Sequence, residues 1–263
     1  MPPGSPEPAV AVERPEGTPM AVSRVLPGEW PVGFASGRPD RRALLVLAYL
    51  EGITPRELHQ LAARTGTAAG CLAAVARGKV GSARDRALAA ELDVEAVHAA
   101  VERCGARHVA PGDPEYPEGL LALPDPPASL FVRGGSLAPW PPAVAVVGAR
   151  SCTPYGREVA ELLGRGLAME GVMVVSGAAR GIDAAAHRGA LAVGGPTTAV
   201  LGSGIDVDYP RSHRRLIQRI AQAGAVVSEY PPGVLPRPYR FPARNRIVAA
   251  LARGVVVVEG APG

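Results

Sequence analysis

The chain has 263 residues, 47% hydrophobic and 20% charged, so a packed core is available and whole-chain disorder is excluded. No apolar run reaches the roughly 20 residues needed to span a bilayer, and the N-terminus lacks the basic-then-apolar order of a signal peptide. Residues 1–142 carry 14 basic and 16 acidic side chains, whereas residues 143–263 carry 14 and 8, so an anionic partner would meet the second half. Of the 28 basic residues only Lys79 is lysine; a GC-rich genome accounts for that bias but not for where the charge sits. Three widely spaced cysteines, Cys71, Cys104 and Cys152, fit a reducing cytoplasm and argue against a disulfide framework or a CxxC zinc site.

Residues 1–40 hold nine Pro and five Gly without periodicity and read as a disordered leader. Residues 41–105 read as four or five short helices. Thr54-Pro55-Arg56-Glu57 has the form of a capping box with proline at the first helical position, and Ser82 to Asp85 is a weaker version. Gly52, Gly66, Gly78 and Gly105 stand where helices should stop. About 65 residues make a marginal core, so this bundle is expected to dock on its neighbour. Residues 106–142 are Pro-rich and read as an extended linker with one short strand over 129–132.

From residue 143 the pattern becomes α/β. Strands are predicted at Ala143–Val147, Val172–Val175, Thr197–Leu201, Ala225–Ser228 and Val255–Glu259, alternating with helices at Arg157–Glu170, Ile182–Val193, Arg211–Ala223 and about Ala243–Arg253. That order implies a parallel sheet with right-handed crossovers, and ligands bind beyond the carboxyl ends of its strands.

Four loops meet at those ends. The first carries Gly148-Ala149-Arg150-Ser151, where Gly148 permits a tight turn and Arg150 either reaches a phosphate or is a solvated turn residue. The second, Ser176-Gly177-Ala178-Ala179-Arg180-Gly181-Ile182-Asp183, has the glycines, hydroxyl and helix start of an anion nest, with Arg180 at its rim. Asp183 there favours the helix dipole, and its i,i+4 partner His187 reads as structural. The third, Gly202-Ser203-Gly204-Ile205-Asp206-Val207, misses the GxGxxG fingerprint, and GARSCT after the first strand misses it as well, which argues against NAD or FAD. The fourth runs from Ser228-Glu229 to Arg244-Asn245-Arg246 through Arg237, Tyr239, Arg240 and Phe241. It reads as a single-strand interface of arginines on phosphates and rings on bases, or as a solvated Arg-rich loop. GxSxG, zinc spacing and the P-loop are all missing from the sequence.

Taken together, VAVVGARS at 144–151, SGAARGIDAAAH at 176–187, AVLGSGIDVDYP at 199–210, SEYPPG at 228–233, FPARNRI at 241–247 and VVVVEG at 255–260 closely resemble the DprA/Smf family of bacterial DNA-processing proteins. The resemblance extends over about residues 41–263 and implies an extended Rossmann-like parallel-sheet domain, 143–263, preceded by a small all-helical, SAM-like domain at 41–105. It implies a cytoplasmic single-stranded-DNA-binding mediator that protects incoming DNA and helps load the recombinase RecA in natural transformation, rather than an enzyme, with no cofactor or metal. By matching position, Arg150, Arg180, Arg244, Asn245 and Arg246 would hold the strand, with Ser151 beside them, and Gly148, Ser176, Gly177 and Gly181 would form the cradle. The family usually has Lys where this chain has Arg180. The family's domain runs on beyond the VVVVE strand, so the resemblance also implies that this chain is incomplete there, dimerises poorly and exposes an apolar sheet face. Two other readings stay open: a nucleoside-monophosphate phosphoribohydrolase-like enzyme using Glu229 or Glu259, whose PGGxGTxxE stretch is missing from the sequence, and an inactive fragment.

Overall fold

The computed structural model describes residues 28–260. Five short helices come first: α1 (Arg38–Leu47), α2 (Pro55–Thr65), α3 (Ala68–Ala76), α4 (Ala83–Glu91) and α5 (Val94–Arg103). Their starts follow side-chain chemistry. Thr54 and Glu57 cap each other's backbone at α2, Ser82 and Asp85 do so at α4, and Asp93 accepts two amides at α5. Asp85 also takes the Glu51 and Gly52 amides, 3.1 and 3.2 Å away, which pins the α1–α2 turn to α4. The apolar faces meet around Leu44, Leu47, Leu61, Cys71 and Val75.

Two expectations about the N-terminal half need correction. The predicted disordered leader 1–40 lies in part, 1–27, outside the described residues, but 28–40 is packed structure. Trp30 stacks on Phe34 with centroids 4.5 Å apart, and Phe34 is 1% exposed among α1 and α3. Burying such rings stabilises by about 1.5–3 kcal/mol each, which outweighs the local lack of periodicity. The predicted linker 106–142 is also structured. It forms β1 (Ala106–Val109), a 3-10 turn (Glu118–Ala122) and β2 (Leu130–Gly134), and β2 joins the main sheet. Leu130, Phe131 and Val132 are fully buried in succession, as a strand covered on both faces must be.

The remaining elements are β3 (Ala143–Val147), α6 (Pro154–Met169), β4 (Met173–Ser176), α7 (Ile182–Ala192), β5 (Thr197–Leu201), α8 (Arg214–Ala223), β6 (Ala225–Ser228), α9 (Arg240–Ala250) and β7 (Gly254–Val257). The sheet has seven strands in the order β1-β2-β6-β5-β4-β3-β7. Strands β3 to β7 are parallel, with Ala145 opposite Val175, Val175 opposite Thr198, Val200 opposite Val227 and Val146 opposite Val256. β2 pairs antiparallel with β6, and β1 with β2. The architecture is α/β and Rossmann-like. The chain steps outward from β3 to β6, then returns to the far side of β3 as β7, so the loops after β3 and β7 face each other. Val255 and Val257 of β7 are 51% and 64% exposed.

One apolar cluster is common to both halves. Leu45, Val97 and Val101 from the helices pack with Phe131, Leu201, Ile205 and Ile217 from the sheet unit. No helix of the described residues is long and apolar enough to cross a membrane.

Candidate nucleic-acid interface

The loop after β3 is fastened by backbone to the segments after β7 and β4. The Ala149 amide donates to Glu259 O at 2.7 Å, and the Ile182 amide donates to Ala149 O at 3.2 Å. Gly181 has a φ of 75°, and a Cβ there would overlap the Ala149 carbonyl oxygen, so this junction requires glycine. Gly148 is packed in the same way: a Cβ would lie 2.7 Å from the Ile182 side chain. Both glycines thus serve to bring two loops together, which leaves Arg150, Ser151 and Arg180 exposed along one rim.

The rim continues onto α9 and the loop after β5. The Arg150 guanidinium lies 5.0 Å from the centre of the Phe241 ring, within cation–π range. Tyr209 sits beside Phe241 with centroids 5.3 Å apart and is 45% exposed. Asn245 is exposed; its Oδ1 accepts from Arg244 Nε at 3.3 Å, which keeps its amide N–H groups as donors. Tyr209 leads directly into a 3-10 turn whose Arg211 is exposed. Neither residue stood out in the sequence, where DYP reads as an ordinary turn; the adjoining run of arginines, 211 to 219, was the available signal.

The structure corrects the assignment of Arg244 and Arg246. Arg244 is 4% exposed, and its Nη1 donates to Gly177 O at 2.8 Å and to Val200 O. Its Nη2 occupies the space a Gly177 side chain would need. Asp183, 6% exposed, lies beside it and accepts the Ala179 amide at 3.3 Å. Burial lowers the Arg244 guanidinium to about 10, with Asp183 opposing and Arg150 adding to the shift, and burial raises the Asp183 carboxyl. Arg246 is held by Glu229 through two contacts of 2.7 and 2.9 Å and by Asp125 at 3.0 Å. Both side chains are internal ties: Arg244 is engaged by backbone carbonyls and Arg246 by two carboxylates, acceptors that the local sequence does not reveal.

The anion nest is likewise filled from within. Ser176 Oγ donates to Val146 O at 2.6 Å, and Asp183 accepts the Ala179 amide at the start of α7. At the start of α6, Glu259 accepts the Thr153 amide and hydroxyl at 3.0–3.2 Å. The starts of α6 and α7 therefore each hold a carboxylate of the chain itself. Glu229 and Glu259, the acids of the enzymatic alternative, are committed to Arg246 and to this cap. No group of three or more His, Cys, Asp or Glu that could hold a metal occurs among the described residues. Arg237 and Arg240, part of the densest basic cluster in the sequence, both pair with Glu51 of the helical segment, at 3.0 and 2.8 Å.

Comparison with known proteins follows the same geometry. A family model described as DNA recombination-mediator protein A matches residues 107–262. A Mycobacterium tuberculosis protein named putative DNA processing protein DprA is 42% identical over 230 residues, covering 81% of this chain. The chain spans 59% of that relative's length. The X-ray structure of DNA processing protein A from Streptococcus pneumoniae superposes with a TM-score of 0.60 at 33% identity, over 78% of this chain and 77% of that one. A structure of DNA processing protein A from Helicobacter pylori, described by its single-stranded DNA binding mode, matches with a TM-score of 0.53 at 35% identity, over 58% and 68%.

Proposed function

The chain belongs to the DprA/Smf family of DNA-processing proteins, and from that premise we propose that it binds single-stranded DNA along the rim of Arg150, Arg180, Phe241, Tyr209 and Asn245. The observation that carries the reading is the exposed Arg150 guanidinium set on Phe241 beside Tyr209. It offers cation and ring together: the cation engages phosphate and the rings stack on bases, a combination indifferent to sequence. Ser151 and the backbone around Gly148 and Gly181 shape the rim. Arg244, Ser176 and Gly177 support it from beneath, and Arg246 holds α9 to the loop after β6. The Helicobacter pylori relative, described as a single-strand binder, supports the same partner.

The biological role proposed is that of a recombination mediator in the cytoplasm, protecting incoming single strands and helping RecA assemble on them, with no reaction catalysed by the chain. Fluorescence anisotropy with labelled oligo-dT at two salt concentrations, against a duplex of the same length, tests the binding step. Affinity should fall with salt by a slope of about −0.7 per phosphate contact. Arg150→Ala and Arg180→Ala should each weaken binding and shallow that slope. Unchanged affinity and slope in both variants would refute the interface. Assembly of RecA on the same oligonucleotide, with and without the protein, tests the mediator role, and light scattering in the same buffers gives the oligomeric state.

A further inference from the structure

A cavity of about 750 Å³ lies between the helical segment and the loop after β6. Its volume is in the range of small-molecule sites, which favour junctions of this kind. Leu50, Leu58 and Leu88 form its apolar side, and Tyr230, Tyr239 and Arg240 face them from the other unit. The wall carries four arginines and four carboxylates, so it offers no net charge to draw in a phosphate. Most of these charges are already matched: Glu51 with Arg237 and Arg240, and Glu229 and Asp125 with Arg246.

Arg240, although paired, has one donor left over. It is 4% exposed; its Nη1 donates to Leu235 O and its Nη2 to Glu51, but its Nε has no partner among the described residues. The same guanidinium lies 4.8 Å from the Tyr230 ring centre and 5.6 Å from that of Tyr239. Tyr239 is 56% exposed, so this end of the cavity reaches the surface on the loop that leads into α9. A fitting ligand is flat and uncharged. It carries donors for the spare lone pairs of Glu51 and Glu229, a ring face for Tyr239 and the Arg240 guanidinium, and apolar faces for the leucines. A lipid chain would leave the polar groups unmet, and a phosphate would face the carboxylates.

We infer that this cavity receives a nucleobase, a reading that rests on the single-strand function above and adds a place for one base. The base can come from the bound strand or from a free nucleoside, and one set of experiments separates the two. The full chain is titrated with thymidine and deoxyguanosine by saturation-transfer NMR, and its affinity for oligo-dT is compared with that for an abasic strand of equal length. Leu58→Trp narrows the cavity from the helical side, Ala243→Trp narrows it from exposed α9, and Arg240→Lys removes the planar guanidinium while keeping the charge. Saturable nucleoside binding that weakens about tenfold or more in the three variants supports the inference. If the base belongs to the strand, the preference for oligo-dT over the abasic strand also collapses in both Trp variants; if it is free, that preference is unchanged. Absence of saturable nucleoside binding to the parent chain, with the oligo-dT preference untouched by either Trp variant, overturns it. Failure of both strands to bind the parent chain refutes the single-strand function instead, and nucleoside binding then still decides the cavity.

Discussion

Arg244 offers the sharpest discrimination between a residue that touches DNA and one that holds the loops beneath it. Arg244→Ala would strand Asp183, which is 6% exposed, without its counter-ion, and would remove the donor from the Gly177 and Val200 carbonyls. The orphaned carbonyls cost about 1–3 kcal/mol each where water cannot reach them, and the attraction of Arg244 for Asp183 is lost as well. These contributions overlap, so a loss of about 4 kcal/mol is expected, equivalent to a fall of about 10 °C in Tm for a chain of this size. Urea denaturation followed by circular dichroism measures it. The double variant Asp183→Asn with Arg244→Met removes both charges and should recover about half of the loss, because no unpaired ion remains buried. Oligo-dT affinity of the protein that stays folded should fall less than in Arg150→Ala. The reasoning is refuted if Arg244→Ala unfolds within about 0.5 kcal/mol of the parent while binding DNA as poorly as Arg150→Ala.

Phe241→Ala should weaken oligo-dT binding by about 1–3 kcal/mol, the range for one stacked base, without changing the salt slope; anisotropy at several salt concentrations separates this from the arginine effects. Gly181→Ala forces a Cβ onto the Ala149 carbonyl at a φ of 75°, so it should destabilise by about 2 kcal/mol or more and loosen the loop that bears Arg150, which thermal unfolding and anisotropy detect together. His187 is fully buried, with its Nδ1 2.7 Å from Thr197 Oγ1, and burial pushes it down to about 3; His108 is pushed to about 4. Both stay neutral in the folded state while the unfolded chain takes up protons below about 6.5, so stability falls as the pH drops from about 6.5 towards 4, by about 1.4 kcal/mol per pH unit for each histidine. Urea midpoints across that range test the sign, and His187→Asn should flatten the slope. Thr54→Ala should cost about 1 kcal/mol by removing the reciprocal cap of α2, read by the same denaturation.

The parallel sheet was legible because its strands are short apolar runs between amphipathic helices, and each was placed within two residues. Helix boundaries shifted for local reasons. α6 begins at Pro154 because Thr153 caps it, and α9 begins at Arg240 because Pro242 is tolerated in a first turn. β1 escaped notice because ARHV carries little strand signal and is stabilised only by pairing with β2, which in turn lies on β6. Trp30 and Phe34 were hidden by the prolines around them. At the site, the sequence displays every arginine but not what neutralises it. Arg150 and Arg180 read correctly as exposed because loop residues after strands face outward. Arg240, Arg244 and Arg246 looked equally free, yet their partners Glu51, Asp183 and Asp125 lie on distant segments that only the fold brings near. The glycines were noticed for close approach, and the structure shows another loop and a guanidinium in those contacts.

The apolar cluster common to the helices and the sheet bears on how such a chain can change over generations. Val97 and Val101 touch the same interior as Phe131, Ile205 and Ile217, so a larger side chain on α5 must be matched by a smaller one across the junction. Positions more than a hundred residues apart should therefore vary in concert, as neighbours within one core do. Replacing the helical segment wholesale by that of a relative would succeed only if the facing residues on β2, β5 and α8 travelled with it.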